Sequence, residues 1–296
     1  MFFWDAIKEP LFESLIEAKS KNSLSTSQRQ ALIKLLEKKD RDKRYIENWR
    51  PISLLNLDTK ILTKALANKI KPVLSSIIKS DQTAYVNGRF IGESHRLISD
   101  ILETTQKLNL DGFILTIDIQ KAFDSVDHEF VLLALKYFGF GNNFINWIRI
   151  ILTGQESSVM NGGFSTGYFD LKRGTRQGDP ISAYLFILVM EIFFIMVRKN
   201  QAIKGINIFD FEYKLSAYAD DATFFPKDES SISAILQTFD IFSKYSGLLL
   251  NKSKCEVCGI GVKRGVNVAL SGLKCIDLTK ECIRILGASY SYNEEC

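Results

Sequence analysis

Hydrophobic positions along the chain follow two periods. From 1 to 20, Phe2, Phe3, Ile7, Leu11, Leu15 and Ile16 recur at helical spacing, and the polar stretch SKNSLSTSQRQ that follows reads as a link. A short apolar run, ALIKLL, a charged loop, EKKDRDKRYIEN, and WRPISLLN come next. DTKILTKALANKIKPVL reads as a helix capped by Asp58 and ending near Pro72, with Lys60, Lys64 and Lys71 on one face. A further helix is expected over Ile91 to Leu108. GFILTIDIQ then alternates as a strand that places Ile114, Thr116 and Asp118 on one side. From Asp127 a helix sets Phe130, Leu133, Ala134, Tyr137 and Phe138 at core spacing, stopped by Gly139 and Gly141.

SSVMNGGFSTGYFDL reads as a hairpin turning at Asn161-Gly162. After the loop KRGTRQGDP comes the apolar run Ile181 to Val197. It is shorter than the ~20 residues a span needs, carries Glu191 and follows Pro180, so a buried core helix is expected and no membrane contact. KLSAYADDATFF reads as two strands meeting at Asp220 and Asp221. A helix from Ile232 to Ser246 and strands near Lys254 to Ile260 and Ile283 to Tyr290 complete the pattern. Helices and strands do not alternate strictly, so an α+β fold with an antiparallel sheet backed by helices is expected.

Charge sharpens this picture. The net charge is +4, but Lys34 to Arg96 holds 14 Lys/Arg against 7 Asp/Glu, leaving the remainder at −3. That asymmetry suits an anionic partner on one side and bound cations on the other, or simply a solvated face. Five cysteines, Cys255, Cys258, Cys275, Cys282 and Cys296, point to a reducing compartment. Cys255 and Cys258 have zinc-like spacing, but strand positions three apart point to opposite faces.

Adjacent aspartates inside apolar strands repel each other and are costly to desolvate, which a divalent cation would relieve. Asp220 and Asp221 point to opposite sides of a regular strand, so a third carboxylate on a neighbouring strand is needed, and Asp118 is the candidate. Oxygen-only ligation suits magnesium, and a pair of such ions is a device for phosphoryl displacement. The other reading of a lone Asp-Asp is an ordinary turn. No phosphate-binding G-x-x-x-x-G-K-[ST] loop occurs.

FILTIDIQKAFDSVDH, GTRQGDPISAYLF, AYADDATFF, SGLLLNKSKCEV and IRILGASYS, in that order, resemble the palm motifs of reverse transcriptases. NWRPISLLNLDTKILTKALANKI and SDQTAYVNGR resemble the fingers of the non-LTR, LINE-1-like retrotransposon branch, a likeness running over roughly 33 to 290. It implies a right-hand polymerase fold with an N-terminal extension over 1–30, fingers over 31–110 and palm over 111–296. The implied activity is RNA-directed DNA synthesis from an RNA template, a DNA primer and deoxynucleoside triphosphates. The alternatives are an RNA-dependent RNA polymerase or a silent RNA-binding remnant.

By the same resemblance, Asp118, Asp220 and Asp221, with the Ile119 carbonyl, would bind two Mg2+ ions. Phe123 would gate the sugar, or else be a core aromatic. Gln177 and Gly178 would lie against nucleotide and template. Lys38, whose role Lys39 could take, and Arg50 would clamp the triphosphate, or else be solvated charges. Lys254 would protonate the leaving pyrophosphate, or else be a surface lysine. Glu37 and Gln120 depart from residues common in the family. An endonuclease, a thumb and a cysteine-rich segment of a longer polyprotein are expected to be missing. The implied location is intracellular, in the nucleus and in cytoplasmic ribonucleoprotein.

Overall fold

The computed structural model describes residues 4–39, 42–266 and 272–292, so Phe2, Phe3 and Cys296 lie outside the described residues. The chain divides into two compact units, one of Met1–Lys71 with Phe123–Phe186, the other of Pro72–Ala122 with Ile187–Cys296.

The first unit is built on a mixed sheet. Strand Gln30–Glu37 pairs antiparallel with Trp49–Leu55 and parallel with Gln155–Asn161, which also carries Phe164–Ser165 and Phe169–Leu171. The parallel pair departs from the antiparallel expectation; its two strands are far apart in sequence, and the long connection between them, which contains several helices, provides the crossover a parallel pair needs. The polar link is more ordered than expected: Thr26–Arg29 is one helical turn closed by a reciprocal cap between Ser25 and Gln28. Helix Leu57–Ile70 begins two residues earlier than expected, with Asn56 rather than Asp58 at the N-cap position, while Asp58 inside the first turn accepts from the Thr59 N–H at 2.8 Å.

Helix His128–Tyr137 is capped by Asp127, whose side chain accepts from the Phe130 N–H at 3.0 Å. Its buried residues are Val131, Leu132, Ala134 and Leu135, whereas Leu133 and Tyr137 are exposed, so the core face is rotated from the expected one. An unforeseen helix, Asn142–Leu152, follows Gly141 and brings Ile150 and Ile151 against Ala18, Leu24 and Leu62. Within helix Trp4–Lys21, Ile7 and Ile16 are exposed and Ala18 is the buried residue. The glycine hairpin turns at Gly162-Gly163, one residue later than expected, since Asn161 pairs with Phe164.

The second unit holds a sheet ordered Lys274–Cys275, Glu256–Gly261, Asp111–Ile117, Asp221–Phe224, Leu215–Tyr218, antiparallel apart from the first short pair. Ile98, Ile101, Ile114, Cys258, Ile260 and Leu278 form one core cluster of this unit. Phe193, Phe224, Phe239 and Phe242 form an aromatic cluster, with ring centroids 5.1–5.9 Å from Phe193. Phe193 lies on helix Ser182–Lys199, which is apolar on nearly every side and correspondingly buried. Among the described residues no helix is long and apolar enough to cross a membrane. A hairpin, Ile206–Ile208 with Phe211–Tyr213, was not foreseen. The expected strand from Ile283 to Tyr290 is itself a hairpin, Ile283–Ile285 with Ala288–Tyr290, turned at Leu286-Gly287 with φ of +53° and +86°.

Candidate active site

In the second unit, Asp118 stands one residue beyond strand Asp111–Ile117, where the chain stops pairing as a regular sheet. The Asp118 carbonyl accepts from Asn251 N–H and Gln120 N–H donates to the Leu249 carbonyl, both at 2.8 Å. Ile119, opposite Leu250 in that bridge, therefore turns its own N–H and carbonyl away from the Leu249–Asn251 stretch. On the adjacent strand, Ala222 pairs with Ile117 and Asp221 pairs with Tyr218, so Ala219 and Asp220 are the two turn residues of the aspartate hairpin. Asp118, Asp221, Thr116, Thr223, Lys254 and Arg284 line one cleft.

Electrostatics mark these carboxyls. Burial, then the charges of Asp220 and Asp118, push Asp221 up to about 6. Burial raises Asp220 as well, with Asp118 adding to the rise. Lys254 supplies a positive charge, its Nζ 3.9 Å from Asp118 Oδ2, in a long and largely exposed pair worth little by itself.

The first unit gathers a second set. Phe123 stacks on the fully buried Phe186 with centroids 4.4 Å apart and planes 24° from parallel. Its carbonyl accepts from Thr175 N–H at 2.6 Å, and the Gln177 amide reaches Asp124 at 3.2 Å. The Gln177 carbonyl accepts from Ser53 N–H at 2.7 Å, which docks the loop onto the strand that carries Arg50. Arg50 faces Leu36 across that ladder, and Lys38 continues it by a backbone bond to the Asn48 carbonyl at 2.9 Å, so Lys38 and Arg50 fall on the same face of the ribbon. The Lys38 ammonium donates to the Glu47 carbonyl at 2.7 Å, closing its own loop.

Residues 36–290 match the family described as reverse transcriptase (RNA-dependent DNA polymerase). The chain belongs to the reverse transcriptase family. It is 35% identical over 253 residues to the transposon TX1 uncharacterized 149 kDa protein of Xenopus laevis, covering 86% of this chain and 19% of that protein. It is 26% identical over 248 residues to the Pol polyprotein of the type-1 retrotransposable element R2 of Popillia japonica, covering 83% of this chain and 33% of that one. The chain thus spans a fifth to a third of these relatives. A telomerase structure from Candida albicans, in complex with a fragment of telomeric RNA, superposes with a TM-score of 0.60 at 14% identity, covering 94% of this chain and 47% of that one. At that identity the likeness is one of fold, and it bears out the fingers-and-palm expectation.

Reverse transcriptases use divalent metal ions. The donor chemistry of the aspartate cluster in this reverse transcriptase fits such an ion, since it is all oxygen and its raised carboxyls carry negative charge that a cation would relieve. Among the described residues no three His, Cys, Asp or Glu side chains are already gathered around one point. Asp118 instead meets Lys254, and Asp220 does not line the cleft that Asp118 and Asp221 share. Cys255 and Cys258 are buried free thiols, and burial raises both.

Several polar residues that position these groups were not picked out in the sequence. Buried Arg176 donates through Nη2 to the Arg29 and Glu156 carbonyls, the latter at 2.8 Å, tying the loop to two strand ends. Buried Asp179, raised by desolvation, accepts from Ile181 N–H at 3.3 Å. Gln82 lies fully buried behind the aspartate hairpin. The available signal was polarity in otherwise apolar or loop segments, which does not tell a buried partner from a solvated one.

Proposed function

We propose that this chain is an RNA-directed DNA polymerase domain of a non-LTR retrotransposon, with an N-terminal extension over 1–30, fingers over 31–110 and palm over 111–296. It extends a DNA primer on an RNA template with deoxynucleoside triphosphates. The observation that carries the reading is the placement of Asp118 at one strand end, with Asp220 in the turn and Asp221 at the first position of the hydrogen-bonded neighbouring strand, the latter two carboxyls being raised by burial and by neighbouring carboxylate charge. Asp118, Asp220 and Asp221, with the Ile119 carbonyl, would hold two Mg2+ ions. When bound, these ions supply activation of the primer 3′-hydroxyl and neutralisation of the triphosphate.

The primer 3′-hydroxyl loses its proton to water and its oxygen bonds to the α-phosphorus as the bond to pyrophosphate breaks. Lys254 gives the leaving pyrophosphate a proton. Arg50 and Lys38 hold the triphosphate, Arg50 through its planar fork. Gln177 and Gly178 lie against nucleotide and template, glycine permitting close backbone approach. Phe123, fixed by its stack on Phe186, fills the volume a 2′-hydroxyl needs.

The test is primer extension on an RNA template with Mg2+, comparing deoxy- and ribonucleotides. Extension with deoxynucleotides alone supports the reading. Preference for ribonucleotides would make the chain an RNA polymerase, and RNA binding without extension would make it a silent remnant.

A further inference from the structure

Ala219 has a φ of +58°. That left-handed conformation is open to glycine at no cost but is unfavourable for a residue with a Cβ. The turn nevertheless uses alanine, and one side chain grips both polar groups of its backbone. Gln82 Oε1 accepts from Ala219 N–H at 3.0 Å, and Gln82 Nε2 donates to the Ala219 carbonyl at 3.3 Å. The same oxygen accepts from Ala84 N–H at 2.9 Å. Gln82 has no exposed surface. Because donor and acceptor lie in one rigid amide plane, rotating the Ala219 peptides out of this conformation breaks both bonds at once.

The clamp is anchored in turn. Ala217 N–H donates to the Asp81 carbonyl at 2.7 Å and Thr83 N–H donates to the Ala217 carbonyl at 2.9 Å, so the segment around Gln82 runs as a short parallel partner of strand Leu215–Tyr218. The Asp81 carboxylate accepts from Arg198 Nε at 2.8 Å, and the same guanidinium donates to the fully buried Glu191 at 2.7 Å. Arg89 donates to the Ile78 and Gln82 carbonyls at 2.9 and 2.7 Å. A continuous set of satisfied polar groups therefore runs from helix Ser182–Lys199 to the turn that carries Asp220.

We propose that Gln82 is a positioning residue for nucleotidyl transfer: by holding Ala219 in its left-handed conformation it sets the directions in which Asp220 and Asp221 leave the turn, while Asp81, Arg198 and Glu191 hold Gln82 in register. The proposal rests on the assignment of Asp118, Asp220 and Asp221 made above and adds a residue that touches neither substrate nor metal.

The test compares wild type, Gln82→Leu, Gln82→Glu, the double variant Gln82→Leu with Ala219→Gly, and Asp220→Asn, all in the full 296-residue chain. Single-nucleotide incorporation on an RNA template is measured against nucleotide and Mg2+ concentration, with melting temperature and hydrogen exchange over 215–222. Gln82→Leu should lower kcat at least ~10-fold, leave the nucleotide KM within about 3-fold, raise the Mg2+ requirement and speed exchange at the turn about 10-fold. Ala219→Gly should restore a good part of kcat, since glycine takes the turn unaided. A merely structural glutamine would lower the melting temperature without changing the Mg2+ requirement and without rescue, and that result overturns the proposal. If Gln82→Leu fails to fold, Gln82→Glu decides by the same criteria, because it keeps the acceptor and loses the donor to Ala219. Wild-type incorporation by Asp220→Asn would bring down the carboxylate assignment and the proposal with it. An inactive Asp220→Asn beside unaffected Gln82 variants would remove the clamp alone.

Discussion

Two short turns, one in each unit, carry candidate site residues and are held by unlike means. The loop from Gly174 to Pro180 docks backbone against backbone. A Cβ on Gly174 would stand 2.6 Å from the Asp124 carbonyl oxygen and one on Gly178 would stand 2.8 Å from that of Ser53, at φ of +86° and +103°. The turn Ala219-Asp220 has a left-handed residue too, but no glycine, and a buried amide holds it instead. Close backbone approach leaves glycines in the sequence for a reader to find. A side-chain clamp leaves an ordinary alanine, and its partner lies 137 residues away.

The strongest way to separate the two turns is through charge. Asp118→Asn or Asp220→Asn should lower single-nucleotide incorporation by about 1,000-fold, the scale of several kcal/mol of lost charge stabilisation. The melting temperature should not fall, because removing one of several like charges relieves repulsion. Near-wild-type incorporation by either variant would sink the assignment.

Backbone strain gives the next contrast. Gly174→Ala forces a methyl against immovable backbone at positive φ and should cost about 3 kcal/mol, or a fall of roughly 6–12 °C in melting temperature. Ala219→Gly, in contrast, should change stability by less than about 1 kcal/mol, since relief of strain offsets the looser unfolded chain. Equal losses at both positions would erase the distinction between the two devices.

Sugar choice tests the first unit more finely. Phe123→Val should lose about tenfold in discrimination against ribonucleotides, corresponding to ~1.4 kcal/mol, while deoxynucleotide use falls modestly. Kinetics with both nucleotide types on one template and one metal would show it, and unchanged discrimination in a folded, active variant would reduce Phe123 to a core residue.

The smallest effect is electrostatic. Asp221, raised to about 6, keeps an extra proton in the fold between about pH 4 and 6, so the metal-free protein should lose stability as pH rises through that window. Asp221→Asn should then stabilise the metal-free chain by about 1 kcal/mol at pH 7.5 and by nothing near pH 4, the figure being kept small because solvent screens this carboxylate. Urea titrations at the two pH values, with and without Mg2+, measure it. Added Mg2+ should stabilise wild type more at the higher pH, and a benefit from Asp221→Asn that did not change with pH would contradict the assigned cause.

Sequence by itself determined the elements whose causes are local. The strand ending next to Asp118, the aspartate hairpin, whose turn falls at Ala219-Asp220, one residue before the expected Asp220-Asp221, the cap at Asp127 and the buried helix after Pro180 follow from period, turn chemistry and capping within a few residues. The ordered motifs carried the family as well, because their spacing survives in one dimension. Only the tertiary structure decided which face of His128–Tyr137 is buried, that Gln30–Glu37 runs parallel to Gln155–Asn161, and that one donor of the Lys38 ammonium goes to the Glu47 carbonyl. These depend on which distant segment arrives alongside, and local propensity does not encode that. Gln82 is the sharpest case. Within SDQTAYVNGR it is one polar residue among several, and its burial, its two bonds to Ala219 and the left-handed turn they hold exist only once 82 and 219 meet. A buried amide has to find partners or forfeit its hydrogen bonds, so the fold chose for Gln82 what the sequence left open.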